Sequence, residues 1–255
     1  MNALLASLQL TAPQLGIAMF VVFGAAVVRG YSGFGFAMVA VTGLSLLRPP
    51  AEIVPVVLAL EITASVQLLP AVWADVDWRS LRWLLAGMLV STPLGVWVLA
   101  SVPAAATRML VSVLVLAASV ALWQGFSLRR IPGPRVTFAT GAASGLLNGS
   151  AGIGGPPAIL FYFSSPAGAA VSRASLITYF LGTDIVAAAF GAAYGLLTAE
   201  AFLRAAALLA PLGLGVVVGN RRFTQARPES FRRAVLVLLM LLAVAGFIRA
   251  GLPGS

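Results

Sequence analysis

The chain has 255 residues, of which 60% are hydrophobic and only 9% are charged, whereas about a quarter of the residues in a soluble domain are charged. The net charge of +9 comes from arginine without any lysine, and no basic helix or aromatic-basic surface stands outside the apolar segments, so no nucleic acid partner is expected. Cysteine and histidine are absent, which excludes disulfides, thiolate chemistry and haem or zinc sites built on these residues.

The apolar segments predict an all-α polytopic membrane protein with six long spans and about 8–10 membrane segments. In the first half, short segments at about 15–29 and 34–47 meet at a glycine cluster, and 52–71, 80–100 and 104–126 are long enough to span a bilayer. The second half has the same order: a short pair at 136–148 and 153–165 is followed by 172–196, 200–219 and 232–250. Each short pair is either a re-entrant hairpin or two full spans.

Arginine positions predict how the chain is oriented. If the chain crosses at each long segment and each short pair returns to its own side, eleven arginines fall on one side. Only four fall on the other, namely Arg48, Arg108, Arg204 and Arg249. The arginine-rich side is expected to be cytoplasmic, which places both termini outside the cell (inner) membrane.

The two halves resemble each other. Two glycine pairs are 119 residues apart, Gly33 with Gly152 and Gly35 with Gly154, and the motif Pro-Leu-Gly recurs at 93–95 and 211–213. Because each half crosses the membrane an odd number of times, the repeats are expected to be inverted about an axis in the membrane plane. The predicted organisation is one transport domain, with a first repeat at 1–128, a cytoplasmic linker at 129–135 and a second repeat at 136–255.

The glycine-rich breaks between the short segments predict an anion site. In hydrocarbon, irregular backbone is tolerated only beside protein or a water-filled cavity. A new helix is expected after each break, near Phe36 and near Pro156, where Pro156 and Pro157 suit the first helical turn. Helix starts attract anions through unpaired N–H groups and the helix dipole, so two facing starts predict a site for a small oxyanion. The candidate ligands are Arg29, Ser32, Gly33, Gly35, Asn148, Gly149, Ser150, Gly152, Gly154 and Gly155, with Tyr31, Arg173 and Tyr179 as secondary candidates.

Two alternatives stay open for these residues. The glycines also suit close helix packing, which is common in membranes. Arg29 either pairs with the anion or a carboxylate, or lies at the interface with its guanidinium directed to water.

Glu61 and Asp184 are the acidic residues well inside predicted spans, at a depth of roughly 14 to 18 Å at 1.5 Å per residue. Ionisable groups at that depth are costly and usually functional, which makes both residues candidates for proton coupling. The alternative is a structural role, paired with Arg29 or hydrogen-bonded to Thr63 or Thr183. The remaining acidic residues are expected at segment ends as caps or loop charges: Glu52, Asp75, Asp77, Glu200 and Glu229.

With these motifs in hand, the chain resembles the sulfite exporter TauE/SafE family, also called the toluene-sulfonate uptake permease family. The resemblance covers essentially the whole chain. It rests on the two Pro-Leu-Gly helices and on GYSGFGFAMVAV, SGLLNGSAGIGGPPAILFY and SRASLITYFLGTDIVAAAFGAAYGLLT. The first motif departs from the glycine triplet of many members, since it reads Gly33-Phe34-Gly35-Phe36. The resemblance implies transport of small, mostly sulfur-containing anions such as sulfite and sulfonates, including sulfoacetate.

The sequence therefore predicts a secondary transporter, favoured as an exporter, with alternating access around a midplane site formed by two half-helix N-termini. The alternatives are a proton- or sodium-coupled uptake permease for organic sulfonates or carboxylates, and an anion channel. An intramembrane enzyme is not expected, because the sequence offers neither a nucleophile with its base nor a metal cluster, and no catalytic residue is predicted. The expected partners are a small anionic substrate, the lipid bilayer and, under one alternative, protons; the chain is either a monomer or a homodimer.

Overall fold

The structure, a computed structural model, describes residues 11–44, 47–48, 50–101, 120, 124, 128, 130–151, 155–193, 197–225, 230, 237, 240–241 and 244. Within these residues the regular secondary structure is entirely helical, as predicted. The helices are α1 (Ala12–Ser32), α2 (Phe36–Leu44), α3 (Pro50–Val72), α4 (Trp78–Ser101), α5 (Pro134–Ala151), α6 (Gly155–Ser164), α7 (Gly168–Ala193), α8 (Ala199–Ala207) and α9 (Leu209–Gln225). A short 3₁₀ turn, Trp73–Asp75, follows α3. The predicted segments 104–126 and 232–250 lie largely outside the described residues.

Three of the described helical segments are long and apolar enough to cross a membrane: Ala12–Ser32, Glu52–Asp75 and Gly168–Ala192. Helices α8 and α9 pass the same test only together, and they meet at an angle of 51°. The described part of the chain thus has three to four candidate spans rather than the six long spans predicted for the whole sequence.

Helix α1 is longer than the predicted segment 15–29, and the prediction that it is short is wrong. It begins after Thr11, whose side chain accepts a hydrogen bond from the Gln14 N–H at 3.4 Å while the Gln14 side chain accepts from the Thr11 N–H at 2.9 Å. This reciprocal arrangement is a capping box, which pairs N–H groups at the helix start. The helix then continues beyond Arg29 to Ser32. Arg29 therefore does not end this span, because its charged side chain forms hydrogen bonds inside the protein.

The chain forms two compact units, and each unit contains residues from both halves of the sequence. The first unit comprises Met1–Ala71 and Asp184–Gln225, and the second comprises Val72–Thr183 and Ala226–Ser255. In the first unit α1 packs against α9 and α2; in the second, α5 packs against α4 and α6. The predicted repeats 1–128 and 136–255 concern sequence symmetry, and they stay a prediction.

Glycines bring helix backbones into close contact in each unit. Between α1 and α9, a methyl group added at Gly30 would lie 2.5 Å from the Val216 carbonyl oxygen, and one at Gly219 would collide with the Val27 carbonyl. Between α4 and α5, added methyl groups at Gly87 and Gly141 would collide with the facing backbone in the same way. The packing role of glycine therefore applies to these helical positions, whereas the glycines of the first break have a different role.

Candidate functional site

The first predicted break is present at residues 33–35. Gly33 ends α1 in the left-handed conformation, with φ of 83°, and its N–H donates to the Arg29 carbonyl at 2.8 Å. Gly35 also has a positive φ, 87°, and its carbonyl accepts the Val39 N–H of the first turn of α2 at 3.2 Å. Residues with a Cβ avoid this region of backbone space. The two glycines therefore end one helix and start the next, as the sequence predicted.

Arg29 stabilises this break through hydrogen bonds of its buried side chain. Its side chain is fully buried; Nη1 donates to the Gly33 carbonyl at 3.0 Å and Nη2 donates to the Ser65 hydroxyl of α3 at 2.6 Å. The same Nη1 lies 4.0 Å from Oε1 of Glu61. The interfacial alternative for Arg29 is therefore wrong, since the guanidinium bonds to the turn and to α3 rather than reaching water.

Ser32 closes the turn with its side chain. Its hydroxyl lies 2.8 Å from the Val28 carbonyl and 2.9 Å from the Phe34 carbonyl, and it accepts the Phe34 N–H at 3.3 Å. In this arrangement the Ser32 hydroxyl interacts with the backbone on either side of Gly33. Tyr31 lies half-buried beside it in sequence, with its ring edge-on to Phe223 of α9 at 6.5 Å between centroids.

Glu61 directs its carboxylate to the start of α2. The carboxylate faces the backbone of Ala37, in the first turn of α2, and Arg29 is its cationic neighbour. The residue itself is buried. The first four N–H groups of a helix have no partner within the helix, so a negatively charged oxygen belongs there on physical grounds. The break thus already holds an anionic oxygen supplied by the protein itself.

The second break differs in detail from its prediction. Helix α5 continues through Asn148, Gly149 and Ser150 to Ala151, three residues beyond the predicted end at 148. Helix α6 begins at Gly155, so Pro156 and Pro157 stand in its first turn, as predicted. Gly152 and Gly154 lie outside the described residues. Gly149 and Ser150 fall after the predicted segment 136–148, yet in the structure they continue helix α5.

The remaining candidates lie along α7. Asp184 is buried and has an interaction partner. Arg173 and Tyr179 are also buried. Arg173 and Tyr179 belong to the second unit, whereas Arg29, Ser32, Gly33, Gly35, Tyr31 and Glu61 belong to the first. The structure therefore brings together the candidates of the first break with Glu61.

Sequence reasoning missed Ser65, the side chain that accepts a hydrogen bond from Arg29. The available signal was its spacing, since Ser65 follows Glu61 by four residues and so lies on the same face of α3. It also missed the partners of two acidic residues at helix ends. Glu52 accepts hydrogen bonds from Arg48 and Arg204, and Asp77 caps α4 by accepting the Ser80 N–H at 3.2 Å. Among the described residues no group of three or more Asp and Glu could hold a metal ion.

The fold and the break define an α-helical, multi-pass membrane protein with a buried ionic site. The family model of the sulfite exporter TauE/SafE proteins matches residues 18–246. The chain therefore belongs to this family, whose members are transporters.

A curated relative is similar over most of both chains. It is named as the probable sulfite/organosulfonate exporter TauE of Cupriavidus necator. The two sequences are 29% identical over 219 residues, which cover 82% of this chain and 84% of the relative. No solved structure matches the chain.

Proposed function

We propose that this protein is a secondary transporter that exports a small sulfur-containing oxyanion, either sulfite or an organosulfonate. The observation that carries the proposal is the Glu61 carboxylate at the first break, where it meets the Ala37 backbone and lies 4.0 Å from Arg29. A carboxylate oxygen and a sulfite or sulfonate oxygen are similar acceptors, and helix starts and guanidinium groups hold both. Membership of the TauE/SafE family and the name of the similar protein support the same cargo.

In this mechanism the cargo takes the position that Glu61 holds in its absence. Arg29 is a positioning residue, because its two hydrogen bonds go to the Gly33 carbonyl and the Ser65 hydroxyl and so keep the turn open toward α2. The first N–H groups of α2 then bind the anion. Protonation of Glu61 removes its charge from the helix start, and this event favours binding of an anionic cargo in its place. Glu61 is thus the proposed link between proton binding and transport.

We infer that the second half supplies an equivalent break by inverted repetition. The helices α5, α6, α7 and the pair α8–α9 begin 118 to 122 residues after α1, α2, α3 and α4. Asn148 stands 119 residues after Arg29, and Asp184 stands 119 residues after Ser65. The second half therefore has an amide and a carboxylate at the positions where the first has an arginine and a hydroxyl.

Export is the favoured direction on energetic grounds. A negative cell interior expels an anion with about 2.3 kcal/mol per elementary charge per 100 mV. An anion that is exported without a co-transported proton therefore needs no additional driving ion, whereas uptake of the same anion would need one.

A binding panel on the purified, full-length protein tests the cargo. Thermal unfolding is followed with sulfite, sulfate, thiosulfate, sulfoacetate, taurine and simple carboxylates, each at the same ionic strength. A ligand that binds only the folded state raises the unfolding temperature in proportion to ln(1 + [L]/Kd), so sulfite or a sulfonate is expected to give the largest shift. Equal shifts for all anions, or a shift with carboxylates alone, would contradict the proposed cargo.

A further inference from the structure

A second group of charged side chains lies in the first unit, outside the break. It consists of Arg48, Glu52, Glu200 and Arg204, named here the arginine–glutamate cluster. One carboxylate oxygen, Oε2 of Glu52, accepts three hydrogen bonds: from Nη2 and Nε of Arg48 at 2.8 and 3.1 Å, and from Nη1 of Arg204 at 2.8 Å. Glu200 is a weaker member, with 3.9 Å between its Oε2 and Nη2 of Arg204.

The two partners in the Arg204–Glu52 pair differ in their access to water. The side chain of Arg204 is 6% exposed, whereas that of Glu52 is 36% exposed. A buried guanidinium needs an anionic partner at all times, because an uncompensated buried charge is strongly destabilising. Glu52 is on the open side of the pair, so its carboxylate has room to turn toward water if another anion takes its place at Arg204.

The two arginines also line a small cavity. Its volume is about 20 Å³, and its apolar wall includes Leu44, Ile53 and Leu208. That is room for about one water molecule. The packing around the apolar stems of the two arginines therefore leaves free volume beside the ion pair.

We propose that Arg48 and Arg204 form a second oxyanion site in which Glu52 is a tethered, exchangeable occupant. The ligand class is a small oxyanion with at least two terminal oxygens, because two guanidinium groups present several N–H donors to it. The identity of this anion as sulfite or a sulfonate rests on the proposed function. In the predicted orientation Arg48 and Arg204 lie on the outer side, so the site would receive cargo that leaves the protein.

Calorimetric titration of sulfite into the purified, full-length protein tests this site. Glu52→Gln removes the tethered anion, so this variant is expected to bind one more equivalent of sulfite than the unmodified protein. The double variant Glu52→Gln/Arg204→Gln is expected to lose that additional equivalent. Asp75→Asn is the matched control, since this carboxylate is exposed and lies outside the arginine–glutamate cluster; it is expected to keep the stoichiometry of the unmodified protein.

Two outcomes would overturn the proposal. One is an unchanged stoichiometry and affinity in Glu52→Gln, and the other is an additional equivalent that persists without Arg204. If the double variant does not give a monodisperse protein, Glu52→Gln/Arg48→Gln replaces it, because Arg48 is more exposed than Arg204. The same criteria then apply.

The experiment also separates this site from the break. In a Gly33→Val background the first equivalent is expected to be lost while the equivalent gained through Glu52→Gln remains. If Gly33→Val leaves the first equivalent intact, the proposed site at the break fails and the arginine–glutamate cluster is unaffected.

Discussion

Arg29 bonds twice to a single residue of the first break. Its carbonyl accepts the Gly33 N–H, and its guanidinium donates to the Gly33 carbonyl. Both polar groups of Gly33 are thereby paired inside a membrane-spanning segment, where an unpaired group would cost several kcal/mol. The Arg29 guanidinium also donates a hydrogen bond to Ser65, which lies 36 residues further along the chain. Arg29 is therefore part of the framework that shapes the break.

The hydrogen bond to Ser65 leads to a first prediction. Ser65→Ala leaves an arginine N–H of the break without this acceptor, so it should lower the free energy of unfolding by about 1–3 kcal/mol and reduce transport. Unfolding in detergent micelles and sulfite export from vesicles measure the two effects. Thr63→Ala is the matched control on the same helix, because its hydroxyl is exposed and bonds only to the Ala59 carbonyl among the contacts described. Equal losses in both variants would show that Ser65 has no special role.

Glu61 leads to a second prediction, on pH dependence. Glu61→Gln keeps the size of the side chain but removes its negative charge and its proton exchange. The pH dependence of sulfite export between about pH 5 and 8 should therefore flatten, and transport at the alkaline end should rise because no carboxylate competes for the α2 start. Export from vesicles clamped at each pH measures this, with Asp75→Asn, an exposed carboxylate outside both proposed sites, as the control. An unchanged profile would assign Glu61 to a structural pair with Arg29.

At the scale of helices, the close contact of α1 with α9 depends on glycines, which have no side chain to separate the two backbones. A Cβ at Gly219 would collide with the Val27 carbonyl, while a Cβ at Gly213, on the same helix, would have only ordinary contacts with Gln67 at 3.8 Å or more. Gly219→Ala should therefore destabilise the protein by about 1–3 kcal/mol, the usual cost of overpacking. Gly213→Ala should be neutral or slightly stabilising, because alanine favours helix over glycine.

The unfolding temperatures of the two variants, measured side by side, test this contact. If Gly219→Ala is as stable as Gly213→Ala, the close approach of α1 and α9 does not contribute to the fold. Transport adds a second measurement, because Gly219 lies opposite Gly30 and Tyr31, just before the break. A displaced α1 should reduce export even where the protein still assembles.

Sequence patterns predicted most helices and the first break, because hydrophobicity and glycine act locally. Helix α2 begins at Phe36 and α6 at Gly155, within one residue of the expected starts. The end of α5 was predicted three residues too early, at 148, because Gly149 and the glycines that follow it favour a break in isolation, whereas Gly149 and Ser150 form helix here. Side-chain partners were harder to predict. The Arg204–Glu52 bond joins residues 152 positions apart, and no local pattern marks such a contact before the helices pack.

At the scale of the whole molecule, the distribution of arginine predicts orientation. Ala199 is expected outside and Gln225 in the cytoplasm, and both are exposed. The chain has no cysteine, so a cysteine introduced at either position is the only thiol that a maleimide can label. A membrane-impermeant maleimide should label Ala199→Cys in intact cells and Gln225→Cys only after permeabilisation. The reverse pattern would invert the topology and move the arginine–glutamate cluster to the cytoplasmic side.

The Glu61 carboxylate at the start of α2 has a consequence for the idle protein. An anion carrier with an empty, positively charged site would let chloride or hydroxide cross the membrane without cargo. Such a leak would dissipate the membrane potential. With a negatively charged side chain already seated against Ala37 and Arg29, the empty site offers such ions little attraction. We therefore expect vesicles that contain the protein but no cargo to hold their membrane potential, and Glu61→Gln vesicles to lose it faster.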